Sequence, residues 1–240
     1  TVTIIDANDS APVFTSSPSF SSSENETSIG IVTASDPDND ILSYSLSGTD
    51  VSSISIGLNT GVLVFNTAPD YEVKKSYEVV VTASDGVNET SQEINISIIN
   101  LNDNTPRFVG SASFSARENQ LNIGLVQALD DDGDDVTYIL EGEDSEVLSV
   151  ESDSGILTFL IAPDFETKTS YSAVVSISDG TFSASQNVSI SITDVDDVAP
   201  VITSLNFAAA ENQTAIGTVT ATDVDTDDSA ITFSVSGSEL

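Results

Sequence analysis

Acidic side chains stand at fixed intervals in this sequence. Glu24, Asp36, Asp38, Asp70, Glu72 and Asp85 are each answered 94 residues later, by Glu118, Asp130, Asp132, Asp164, Glu166 and Asp179. Short Asn- and Asp-rich stretches keep the same period. Asp6-Ala7-Asn8-Asp9-Ser10-Ala11-Pro12, Asn100-Leu101-Asn102-Asp103-Asn104-Thr105-Pro106 and Asp194-Val195-Asp196-Asp197-Val198-Ala199-Pro200 end on prolines at 12, 106 and 200. Carboxylates mixed with amide and peptide oxygens are the donors a hard divalent cation takes up, and calcium gathers about 6–8 of them. Two carboxylates across a scissile bond would instead suit glycoside hydrolysis. Pairs that recur at every period fit a repeated scaffold better than a catalytic centre, so the expectation is a protein that is not an enzyme.

The totals narrow the chemistry further. The 240 residues carry 39 Asp and Glu against 5 Lys and Arg, a formal charge of −34. Phosphates need a basic face, so no nucleic-acid partner is expected. There is no Cys and no His, which removes disulfides, thiolate sites and the commonest general base and metal ligand. Zinc, copper and haem are poor fits to what remains; calcium is the natural counter-charge. No run approaches the ~18 consecutive apolar residues of a membrane span. No basic-then-apolar leader opens the sequence. The pattern runs out in mid-period at both ends, as expected of a piece of something longer.

These acids need elements to hold them. Residues 1–99 align with 95–193 without a gap, and a third copy begins at Glu211-Asn212, Gly217 and Asp223-Val224-Asp225. Within a copy the apolar residues fall at every second position, the mark of strands with one buried face. Tyr77, Val79, Val81 and Ala83 alternate, and so do Ile94, Ile96 and Ile98. Further strands are expected at Val13–Ser22, Ile29–Ala34, Ile41–Leu46, Ile54–Ile56 and Val62–Phe65. Asn59-Thr60-Gly61 and Ser154-Gly155 read as hairpin turns, where glycine supplies positive φ. About seven strands in ~94 residues suit an antiparallel Greek-key sandwich. The fold class is therefore all-β: tandem seven-stranded Greek-key β-sandwich repeats. The third copy lacks the strands that would cover its core face. Tyr44, Tyr77, Tyr138 and Tyr171 are expected in the cores.

In order along the chain, Glu-Asn, Ala-Ser-Asp-Pro-Asp, Pro-Asp-Tyr-Glu, Ala-Ser-Asp-Gly and Asn-Asp-Asn-Thr-Pro together resemble the cadherin repeat, in its cadherin-like, immunoglobulin-like sandwich form. The resemblance covers both full copies and the start of the third. The Ser/Thr-rich, Lys-poor, cysteine-free style is similar to cadherin-like repeats of large bacterial surface adhesins rather than to animal cadherins. The division it implies is 1–10 as the end of a preceding repeat plus linker, 11–104 and 105–198 as complete repeats, and 199–240 as the N-terminal part of a third.

The resemblance also implies a ligand set, with about three calcium ions at a complete joint. At the joint after the first repeat these ligands are Glu24, Asp70, Glu72, Asn100, Asn102, Asp103, Asp130, Asp132 and Asp179, with peptide oxygens of Leu101 and Asn104. Tyr71 stands where the family commonly has Arg. Asn100 stands where it usually has Asp, which implies weaker binding of one ion. The following joint takes Glu118, Asp164, Glu166, Asp194, Asp196, Asp197, Asp223 and Asp225, with Val195 and Val198 in the linker. The joint before the first repeat takes Asp6, Asn8, Asp9, Asp36, Asp38 and Asp85. Asp40, Asp131, Asp134, Asp135, Asp227 and Asp228 are expected as plain surface charge or outer-shell helpers. Seven carboxylates meet at the complete joint, and without metal they repel.

The expected function is a calcium-rigidified segment of an extracellular, membrane-anchored adhesin. It would be secreted or held at the cell surface through parts of the chain not present here. Its partners would be calcium, neighbouring repeats of the same chain, and either the same protein on another cell or a surface glycan. The rival reading is a glycan-binding module of a secreted carbohydrate-active enzyme. That reading needs exposed aromatics, yet there is no Trp and aromatics make up 6% of residues.

Overall fold

Every second residue of the long strands turns inward, and that alternation sorts the chain into sheets. A computed structural model describes residues 7–204, 206–225 and 230–237. The chain divides into two compact units, Thr1–Asp103 and Asn104–Leu240. No α-helix occurs among the described residues.

In the first unit the strands are β1 (Val13–Phe14), β2 (Ser19–Ser23), β3 (Ser28–Ile31), β4 (Ala34–Ser35), β5 (Ser43–Ser47), β6 (Ile54–Ile56), β7 (Val62–Phe65), β8 (Ser76–Ser84) and β9 (Glu89–Ile99). One sheet has the order β2-β9-β8-β5, another β3-β7-β6, and β1 pairs with β4. The core between the sheets is built from Val32, Leu63, Phe65, Val79, Val81, Ile94 and Ile96, all essentially solvent-free. Each such side chain contributes about 1.5–3 kcal/mol by leaving water.

The second unit repeats the plan with β10 (Arg107–Phe108), β11 (Ser113–Arg117), β12 (Asn122–Leu125), β13 (Ala128–Leu129), β14 (Thr137–Glu141), β15 (Leu148–Val150), β16 (Ile156–Phe159), β17 (Ser170–Ser178) and β18 (Ser183–Thr193). Its sheets have the orders β11-β18-β17-β14 and β12-β16-β15, with β10 on β13. In the same unit β19 (Val201–Ile202) pairs with β20 (Ala221–Thr222).

The tandem all-β sandwiches read from the sequence are present, with two corrections. The expected opening strand Val13–Ser22 is two strands. Its first part lies antiparallel to β4, and its second runs parallel to β9, from Ser19 beside Asn95 to Ser23 beside Ile99. Pro18, which has no N–H to give a ladder, sits in the break. One sheet edge is thus closed by β2 lying parallel beside the last strand, β9, so the sandwich is not purely antiparallel. The expected strand Ile29–Ala34 is likewise divided at Val32–Thr33, next to a register shift at Gly30.

The turns hold as expected. Gly61 and Gly155 have φ of +64° and +72°. A Cβ on Gly61 would stand 2.1 Å from the Val32 carbonyl oxygen, and one on Gly155 2.3 Å from that of Val126. Tyr44 is buried and its hydroxyl accepts the Ala34 N–H at 3.0 Å. Tyr77 packs edge-on against Phe65.

Candidate metal centres

Glu24 and Glu118 are carboxylates inside the sandwiches, 1% and 2% exposed. A buried carboxylate is costly unless its oxygens are taken up, and each has two backbone donors. Glu24 Oε2 accepts the Tyr71 N–H and Oε1 the Leu101 N–H, both at 2.8 Å. Glu118 accepts Phe165 N–H at 2.8 Å and Val195 N–H at 2.6 Å. The glutamate therefore ties the loop before β8 or β17 to the stretch that follows the last strand.

The next residue makes that geometry possible. Asn25, Asn119 and Asn212 have φ of 62°, 60° and 64°, in the left-handed region that Asn tolerates better than most residues. The side-chain amides of Asn25 and Asn119 donate to Asp103 and Asp197. In the first unit, oxygens of Glu24, Glu72 and Asp103 lie within 4.8 Å of one another; in the second, those of Glu118, Glu166 and Asp197 do.

At the opposite end of each sandwich, a loop after β4 or β13 carries a second cluster. In the first unit Asp36, Asp38 and Asp40 approach within 4.8 Å. Asp36 Oδ1 accepts the Asp38 N–H, and Asp38 Oδ2 accepts the N–H groups of Asp9 and Ser10 at 3.0 and 2.9 Å. Asp85 caps its own turn through the N–H groups of Val87 and Asn88. These donors hold the Asp85 carboxyl below its ordinary range against an opposing desolvation. Asn88 reaches the Asn8 side chain and the Ser10 carbonyl. Asp6, like Asp227 and Asp228, lies outside the described residues.

In the second unit Asp130, Asp132 and Asp134 form the corresponding group. Asp132 takes the Asn104 N–H and side-chain amide, both at 2.8 Å. Asp179 takes the N–H groups of Thr181 and Phe182.

The linker 194–198 lies wholly within the second unit. Asp225 accepts the N–H groups of Asp197 and Val198 at 2.6 and 2.7 Å, and Asp225 N–H donates to Asp223. Desolvation, then the negative charge of Glu118, pushes the Asp194 and Glu166 carboxyls above their ordinary range; Asp225 adds to the effect on Asp194. The Asp223 carboxyl is raised chiefly by its hydrogen bond to Asp225, then by desolvation. The Asp225 carboxyl is instead held below its ordinary range, first by its hydrogen bond with Asp223 and then by the Val198 N–H.

The donors fit calcium. All are hard oxygens, and buried oxygens of Asp36, Asn102, Asp130, Asp179 and Asp225 have no hydrogen-bond partner. Not every expected ligand joins a cluster. Asp70 and Asp164 turn to their own loops, accepting the N–H groups of Val73 and Thr167 at 3.0 Å. Asp196 is exposed and belongs to no group among the described residues. Leu101, Asn104, Val195 and Val198 have committed their N–H groups to carboxylates; Asn100, at the end of β9, is half-buried.

Sequence reasoning missed two features. One is the left-handed Asn that bonds the linker Asp. The other is Asp50 with Lys74, repeated as Asp144 with Lys168. Asp144 is buried, forms an ion pair with Lys168 and accepts the Ser172 N–H at 2.8 Å. The signal was available, since both members of the pair recur 94 residues apart.

Both units are stacked-sheet sandwiches whose end loops gather acidic oxygens, and that plan has known relatives. Residues 18–99 match the family model for the cadherin domain. Mouse protocadherin Fat 4 is 31% identical over 229 residues, 87% of this chain and 4% of its own length. Human cadherin-23 is 31% identical over 73% of this chain and 6% of its own length. Among solved structures, mouse cadherin-23 EC22-24 has a TM-score of 0.67 at 25% identity, covering 80% of this chain and 67% of that one. The protocadherin γB4 extracellular domain gives 0.67 at 26%, covering 92% and 39%. The chain belongs to the cadherin repeat family. It spans only a few per cent of the length of these first curated relatives.

Proposed function

We propose that this chain is a calcium-binding segment of an extracellular adhesion protein, built of repeats 11–104 and 105–198 and the beginning of a third at 199–240. Calcium at the linkers stiffens the run and holds its adhesive surfaces at a distance from their anchor. The ion supplies positive charge and a fixed coordination shell. The protein supplies oxygens: Glu24, Glu72, Asp103 and Asn102 on one side, Asp130, Asp132 and Asp179 on the next repeat, and Glu118, Glu166, Asp194, Asp197, Asp223 and Asp225 around the second linker. The observation that carries this reading is the set of buried, unpartnered oxygens on Asp36, Asn102, Asp130, Asp179 and Asp225, each at a position a calcium ligand should occupy. Homology to cadherins, among them a protocadherin extracellular domain, supports a cell-surface or secreted setting. A second copy of the protein on another cell, or a surface glycan, is the partner this setting favours.

Calorimetric titration of the chain with calcium, paired with small-angle scattering in calcium and in chelator, tests the reading. Several ions should bind at roughly 10⁻⁴ to 10⁻³ M, the range of extracellular modules, and the scattering profile should change as they do. Absence of heat at millimolar calcium with an unchanged profile would reduce the acids to surface charge.

A further inference from the structure

The acidic cluster in the loop after β13 holds one carboxylate, Asp134, beyond the two invoked above. Asp130-Asp131-Asp132-Gly133-Asp134-Asp135 offers five acids, and three of them converge. Oxygens of Asp130, Asp132 and Asp134 all lie within 4.8 Å of one another. The convergence has a backbone cause. Gly133 has φ of +83°, a left-handed residue that turns the chain back so that Asp134 faces the acids before it. The Gly133 N–H donates to the Asp130 carbonyl at 3.3 Å, and the Asp132 and Asp134 N–H groups point at Asp130 Oδ1, at 3.0 and 3.4 Å. Asp130 is 5% exposed, and its other oxygen, Oδ2, has no hydrogen-bond partner. A carboxylate this buried, with one oxygen unused and two further carboxylates beside it, is an arrangement that a cation completes.

The first unit repeats the design. Asp40 stands 94 residues before Asp134 and approaches Asp36 and Asp38 in the same way, across Asn39 at φ of 65°. The left-handed hinge and the third acid are thus kept together although the hinge residue differs.

We propose that Asp134, and Asp40 in the first unit, is a direct calcium ligand, so that each sandwich carries a cation position furnished with three carboxylates from one of its own loops. Resting on the calcium reading given above, the proposal adds a property to it. Such a position keeps a grip on calcium through one repeat alone, and it is the last to empty as calcium falls.

Calcium titrations of the 240-residue chain as wild type, Asp134→Asn and Asp135→Asn test it, with circular dichroism to confirm that the fold is kept. Asp135 is exposed and outside the triplet, so it controls for the loss of one charge nearby. Asp134→Asn should weaken the tightest step about tenfold, since charge count in the shell sets affinity, while Asp135→Asn should leave the isotherm unchanged. Equal shifts in both variants, or none in Asp134→Asn while the wild type still binds, would overturn the role of Asp134 and leave the wider calcium reading intact. A wild type that binds no calcium would overturn both.

Discussion

Glu118 shows most directly what one residue contributes. Its two oxygens serve the N–H groups of Phe165 and Val195, so the fold depends on a carboxylate that the proposed function also makes a calcium ligand. Glu118→Gln leaves one of those N–H groups facing an amide NH₂. The expected result is a loss of about 1–3 kcal/mol in chelator, the cost of a buried donor without an acceptor, read by urea unfolding. The stabilisation added by calcium should also shrink, because the variant lacks a ligand.

Asp144 makes a different prediction. Desolvation works against its ionised form, but the Lys168 ammonium and the Ser172 N–H outweigh it and hold the carboxyl below its usual 3.8. A depressed folded-state value means stability that is present above the unfolded-state pKa and lost as pH falls through the folded one. Asp144→Asn should therefore unfold more easily than wild type at pH 7, and the gap should close as pH drops below about 3.8. A gap that persists undiminished at pH 2 would assign the effect of the substitution to packing.

At the scale of elements, the hairpin between β15 and β16 depends on Gly155. Any Cβ there meets the Val126 carbonyl, and φ of +72° strains an L-residue besides. Gly155→Ala should cost roughly 1–3 kcal/mol, seen as a lower melting temperature. Most of the strands were legible because Val, Ile and Tyr alternate over the lengths of β8 and β17, and the turn glycines bounded them. The splitting of the opening strand at Pro18 was not. Where a strand leaves one sheet for another depends on which neighbour it finds, and β9 lies some 75 residues downstream, Ser19 pairing with Asn95. The candidate site shows the same division. The acids that cluster in the structure stood out in the sequence through their 94-residue period and their place at strand ends. The turning of Asp70 and Asp164 into their own loops was not, since a short loop closes on itself through hydrogen bonds that a motif does not record. The recurrence of Asp144 and Lys168 at the 94-residue period was visible, but not that the two meet, since the loops carrying them come together only in the folded sandwich.

For the whole molecule, the governing quantity is a formal charge of −34 on 240 residues. Self-repulsion of that size weakens a compact state, and added salt screens it, with a Debye length near 10 Å at 0.1 M. In chelator the melting temperature should rise steeply with sodium chloride. With calcium bound, the same salt series should be shallower, because the ions neutralise the clustered acids; an equal slope in both conditions would place the repulsion elsewhere on the surface. The parallel pairing of β2 with β9, and of β11 with β18, bears on a load no equilibrium experiment applies. In each sandwich the second and last strands lie side by side, five residues in register and pointing the same way. Tension between the chain ends pulls these neighbours in opposite directions along their common axis. Their hydrogen bonds are then strained together in shear instead of opening one at a time from an end. Each repeat is in this respect a fastening, set to hold until the whole ladder yields at once.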